Sequence, residues 1–249
     1  MAYDLDKPFN LRVARFDQTN GFGGIISGHN EDISTTQEVL NPSGTLTYPS
    51  SADVVSVVSD SALDTSAGTG ARAVFITGLD ADWDWQSDEI LLNGTTPVVT
   101  ENKYIRLLKI WCTDVGTGGE NVGQIIASID GNAQECMIAG GGESHCAALS
   151  VPVGLRCYVS SMSISGGRAD DVAMDLYTRE FGQAWRVRAM DQVRETGKTS
   201  KFEYFFRIPE KSDIQLRVRK ITSGTAHCTG FFNFVFLPIS QGEAMEQLL

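Results

Sequence analysis

Apolar and polar positions alternate with a period of two along much of this chain. Ile214, Leu216 and Val218 fall on one side of a run whose other side is Gln215, Arg217 and Arg219. Val172, Met174 and Leu176 oppose Ala173, Asp175 and Tyr177 in the same way. Similar runs recur as "VVSVVS" from Val54, "ARAVFIT" from Ala71, "EILLNG" from Glu89, "YIRLLKIWC" from Tyr104 and "NVGQIIASI" from Asn121. They continue as "LRCYVSSMSI" from Leu155, "FEYFFRI" from Phe202 and "GFFNFVF" from Gly230. Glycine, asparagine, aspartate or proline closes each run. Period two with frequent turn signals predicts an all-β fold, an antiparallel β-sandwich of jelly-roll-like kind. No amphipathic helices separate the runs, which excludes a parallel α/β sheet. The one helical pattern is "GEAMEQLL" in the tail over 241–249. The segment 1–50 is rich in turn formers and short of apolar runs. It predicts an extended N-terminal arm ahead of a β-sandwich domain over 51–240, with room in that domain for two subdomains.

Composition narrows the function. The 249 residues are 42% hydrophobic and 20% charged, enough for a sizeable core. A formal net charge of −11 argues against a nucleic-acid partner, since phosphate binding needs a basic face. The five cysteines form no C-x-x-C pair, so all are expected reduced, buried and acting as small apolar residues in a cytoplasm. The N-terminus has no basic-then-apolar leader, and "FFNFVFLPI" is too short to span a bilayer. No membrane partner is expected.

Candidate chemistry thins out on inspection. Gly68-Thr69-Gly70 leads into a strand, with neither the lysine nor the helix a phosphate loop requires, so it reads as the corner of a sheet. "GTGGENVG" at Gly116 reads likewise. His145-Cys146 and His227-Cys228 lack the paired spacing of structural zinc, and adjacent strand residues point to opposite faces. No metal and no cofactor is predicted. There is no G-x-S-x-G elbow, and His29 reads as a loop residue. Asp80, Asp82 and Asp84 alternate without the Gly and Glu of a calcium loop, which leaves a solvated turn presenting Trp83 and Trp85 to one surface. No catalytic residue is assigned, and the chain reads as a non-enzyme. The predicted interaction residues are Phe9, Leu11, Phe16, Phe22, Ile25 and Ile26 on the arm, with Trp83 and Trp85.

"SDSALDTSAGTGARAVFITGLDADW", followed by "ILLNGTTPVV" and "GTGGENVGQIIAS", resembles a family of tailed-bacteriophage virion structural proteins. The upstream "GHNEDISTTQEVLNPSGTLTYP" is similar to that family's arm, with Leu40 where an aromatic is frequent. The likeness covers about residues 26–130, and its motifs are turns and strand edges. It implies a virion location after assembly in the host cytoplasm. Within the virion it leaves two roles: a capsid decoration (cement) protein bound to the major capsid protein, or a tail, fibre or receptor-binding component. The compact outline with an arm favours decoration. A carbohydrate-binding sandwich using Trp83 and Trp85 as a platform is a third reading. The segments "KFEYFFRIPE" and "GFFNFVFLPI" carry seven of the 12 phenylalanines and predict a homo-oligomer, most simply a trimer.

Overall fold

The computed structural model describes residues 22–167, 171–194 and 197–240. Its strands, in chain order, are β1 (Phe22–Ile33), β2 (Glu38–Val39), β3 (Asp53–Ser59), β4 (Ala71–Leu79), β5 (Trp85–Leu91), β6 (Val98–Tyr104), β7 (Arg106–Val115) and β8 (Ile125–Ile129). There follow β9 (Asn132–Met137), β10 (Ala148–Ser150), β11 (Leu155–Gly166), β12 (Asp171–Glu180), β13 (Arg186–Arg194), β14 (Lys198–Ile208), β15 (Ser212–Lys220) and β16 (Ala226–Pro238). Every pairing between them is antiparallel.

The strands form two sandwiches, one set inside the other. The outer sandwich stacks sheet β1-β16-β11-β14 on sheet β10-β15-β12-β13, with β2 also paired to β15. β2 and β10 lie end to end along β15: Glu38 and Val39 face Val218 and Arg217, and Ala148 to Ser150 face Gln215 to Asp213. Treated as one interrupted strand, they give eight strands paired first with eighth, second with seventh, third with sixth and fourth with fifth. That nested pairing is a jelly roll. The interruption is tight, for the Ala147 amide donates to the Leu40 carbonyl at 2.9 Å and Leu40 donates to Leu216 at 3.0 Å. β3 to β9 fill the gap as a second sandwich, sheet β6-β3-β8-β9 against sheet β5-β4-β7.

Each sandwich has its own core. The period-two faces read from sequence hold: Val172, Met174, Leu176, Ile214, Leu216 and Val218 are buried against Phe232, Phe234 and Phe236. In the inserted sandwich Val55, Val57, Ile125, Ala127 and Ile129 meet Val74, Ile76 and Ile110. Leu79, Trp83, Ile105 and Leu108 come from the insertion yet pack into the jelly-roll core, so the two bodies share a seam.

The arm and the domain boundary need correction. From Phe22 onward the turn-rich segment is built into the jelly roll: β1 pairs with β16 from Phe22↔Phe236 to Ile33↔Ala226, and Ile33 and Leu40 are fully buried. Its glycines disguise it as a linker but are required by packing. A Cβ on Gly28 would lie 2.1 Å from the Leu40 carbonyl oxygen and 2.7 Å from the Ala147 nitrogen, where the split strand passes over β1. The strands of 51–240 fall into two sandwiches, within the room for two subdomains that the sequence left, and the outer one also takes in β1 and β2. The tail over 241–249 and its helical pattern lie outside the described residues.

Candidate interaction surfaces

The glycine turn after Asp64 is closed by its own carboxylate. The side chain, fully buried, accepts from the amides of Ala71 (2.8 Å), Val122 (2.9 Å) and Gly123 (2.8 Å) and from the Ser59 hydroxyl (2.7 Å). Burial alone would raise its pKa, but the bonds from Val122, Ser59, Gly123 and Ala71 outweigh it and hold the carboxyl below its ordinary value. A Cβ on Gly70 would sit 2.1 Å from Asp64 Oδ1, so only glycine lets the backbone approach. The converging amides that might have cradled a phosphate are satisfied internally. Asp64 and "NVG" at 121–123, far apart in sequence, form one knot; Asn121 adds bonds to Gly123 and Ile138 carbonyls at 2.7 Å each.

The most charged construction lies at the seam. Arg106, on β7, is fully buried and grips Asp213 of β15 through Nε (2.7 Å) and Nη2 (3.0 Å). Its Nη1 donates to the carbonyls of Pro49 and Ile105. Asp213, also fully buried, further accepts from Ser150 (2.8 Å) and from Arg179 Nε (3.1 Å) and Nη2 (2.9 Å). Tyr48, Trp83 and Phe181 surround the Arg106 guanidinium at 4.3, 4.9 and 5.6 Å. The stack continues through Arg179 over Trp185 at 4.5 Å and Arg217 over Trp185 and Tyr177 at 4.5 and 4.3 Å. A buried arginine is tolerable where its donors and charge are met this completely.

Trp83 is therefore not a surface residue. It is 2% exposed, adopts φ 72°, and packs on Arg106 and Phe181, which removes half of the proposed two-tryptophan platform. Asp80 explains the turn: its Oδ1 accepts the amides of Asp82 and Asp84, and its carbonyl accepts Trp83 N–H. Trp85 points the other way, 47% exposed, and meets Phe22 at 5.9 Å and Phe236 at 6.4 Å. The structure thus brings Phe22 and Trp85 together. Ile25 is 63% exposed on the outer side of β1, while Ile26 packs against the core. Phe9, Leu11 and Phe16 lie outside the described residues.

The phenylalanine-rich segments do not form a free face. Phe232, Phe234 and Phe236 are core, and Phe202 and Phe206 pack against it. Phe205 packs on Tyr158, Val235 and Leu237. These rings pack within the chain and so give no ground of their own for a trimer.

All five cysteines are free thiols; Cys112 is half-buried and the others are buried. Burial pushes Cys112 up to about 11 and Cys136 and Cys228 up to about 12, so they are poor nucleophiles. Glu135, buried beside Cys136, is pushed up to about 8 by burial, offset in part by Ser144 and Lys109, and its Oε2 has no partner. The rings of His29 and His227 meet at 5.3 Å. Among the described residues no group of three or more His, Cys, Asp or Glu side chains could hold a metal ion, and no helix is long and apolar enough to cross a membrane.

No family model and no curated protein matches the sequence. Among solved structures, a mutant VP2 protein of infectious bursal disease virus in derived T=1 particles is 8% identical, covering 89% of this chain and 74% of that one at TM-score 0.22. A VP2 subviral particle of the same virus is 8% identical, covering 89% and 77% at TM-score 0.18. At such scores the chain is a jelly roll on its own strand order, and these likenesses carry no argument.

Proposed function

We propose that this chain is a non-enzymatic structural protein of a tailed-bacteriophage virion, seated as a decoration (cement) protein on the major capsid protein. The observation that carries the proposal is the resemblance over 26–130. Its motif residues Asp64, Gly70 and the 121–123 turn tie the insertion together, while Leu40, the departure from that family's aromatic, is buried at the split strand. A motif devoted to architecture suits a protein whose task is to hold shape. Jelly rolls also serve lectins and cupins, so the fold alone does not select the role.

The test is the copy number of this chain in purified particles, by quantitative mass spectrometry against the major coat protein. A ratio near that of a coat subunit supports decoration. A dozen copies or fewer assigns it to tail or vertex, and absence from particles overturns the virion reading. A glycan-binding role has one observation behind it, the half-exposed Phe75–Trp111 pair at 4.8 Å on β4 and β7. Binding on a glycan array that is lost in Trp111→Ala would favour that role.

A further inference from the structure

The two sandwiches differ sharply in charge. Residues 53–137 contain thirteen acids, and their only bases are Arg72, Lys103, Arg106 and Lys109, so most of the net −11 resides in the insertion. The jelly roll is close to neutral and gathers exposed bases on β13, the edge strand of its sheet on the side opposite the interrupted strand.

Two edges of the molecule are complementary. Along β13, Arg186 and Arg188 are exposed beside Val187 (43% exposed) and Met190 (75%). Arg186 has no carboxylate partner among the described residues, and Arg188 donates Nε to the Thr178 hydroxyl. An open depression of about 370 Å³ runs beside Met190, where Lys198 and Arg219 are balanced by Asp191 and Asp175, so the unpaired positive charge of this edge is that of Arg186 and Arg188. On the insertion, β5 and β6 are the edge strands of their two sheets. They expose Leu91 (64%) and Val99 (59%) beside Glu89 and Glu101, which have no ion-pair partner among the described residues. Each edge leaves strand N–H and C=O groups open, and each pairs exposed apolar side chains with unpaired charge.

We propose that the β13 edge of one copy docks on the β5/β6 edge of the next, a head-to-tail self-association steered by charge. Val187 and Met190 meet Leu91 and Val99, while Arg186 and Arg188 face Glu89 and Glu101. Because the two surfaces differ, the contact is heterologous and closes into a ring when the rotation permits. This inference stands apart from the virion reading, since it concerns the isolated chain.

Sedimentation velocity of the full chain at micromolar concentration, in low and high salt, tests it. Wild type should associate at low salt and dissociate as salt screens the pairs. R186E/R188E should weaken association by at least about tenfold, as should E89K/E101K, and mixing the two variants should restore it. All four side chains are exposed, so melting temperatures should stay close to wild type, which separates lost docking from lost folding. A wild type that is monomeric in low salt, or variants that associate as wild type does, would overturn the proposal.

Discussion

The jelly roll and the insertion solve the same packing problem with different materials. The jelly roll uses large side chains, with Phe232, Phe234, Phe236, Met162 and Met174 between its sheets. The insertion relies on β-branched and small residues, such as Val55, Val57, Val74, Ile76 and Ala127. It fixes its turns with a buried carboxylate where the jelly roll fixes β13 and β14 by pairing Asp191 with Lys198 and Ser200. A slim core with internally bonded turns makes a compact module that a strand can carry as an interruption. What joins the modules is the Arg106–Asp213 lock, reinforced by four insertion residues that cross into the jelly-roll core.

The comparison breaks most severely at a core or at the lock. Phe232→Ala should cost about 3–5 kcal/mol and melt the jelly roll first. Asp213→Ala leaves Arg106 buried without its counter-charge and should cost a similar ~3–5 kcal/mol, read by urea unfolding. The double variant R106M/D213L should recover much of that loss, because no fully buried charge is left unpaired and Arg179, the other partner of Asp213, keeps access to solvent.

Asp64→Ala should destabilise the insertion by about 2–3 kcal/mol, since the amides of Ala71, Val122 and Gly123 lose a charged acceptor. The folded pKa of Asp64 is lowered from 3.8, so its contribution is complete above that value and disappears as pH falls through the folded pKa. Acid titration of stability should therefore be shallower in D64N than in wild type. Glu135 acts with the opposite sign. Its carboxyl is raised from 4.5 to about 8, so ionising it costs stability progressively as pH rises across that window. E135Q should raise the melting temperature more at pH 8 than at pH 5. At the small end, Ile25→Ser, at a 63% exposed position, should shift stability by no more than about 0.5 kcal/mol.

The sequence exposed these two regions unequally. β12 and β15 are legible because their apolar residues alternate cleanly with polar ones, even though Ala173, Asp175 and Gln215 on the other face are buried as well. β1 is hidden: three glycines in "FGGIISGHNEDI" make it read as part of an extended arm, although Gly28 is fixed by the backbone crossing it. β2 and β10, two and three residues long, are halves of one strand whose continuity depends on contacts across more than a hundred residues. β13 exposes most of its side chains as an edge strand and so shows no apolar face to count. Of the site, Phe22 and Trp85 are legible as exposed aromatics, but the sequence does not show that Trp83, at a positive φ, lies buried against Arg106. Arg106 left a trace, a lone charge in the apolar run "YIRLL", which signals either a bulge or a buried ion pair. Its partner Asp213 resembled an ordinary turn residue at a strand start, and spacing alone does not connect the two.

Hydrogen-exchange mass spectrometry of full-length R106M against wild type measures the organisation most directly. The account predicts faster exchange confined to the seam, over 45–52, 79–85, 104–107, 147–153 and 211–214. Amides within β3, β8, β12 and the centre of β15 should keep wild-type protection. Uniform acceleration through both sandwiches, or no change at the seam, would contradict two separately cored bodies joined by this lock.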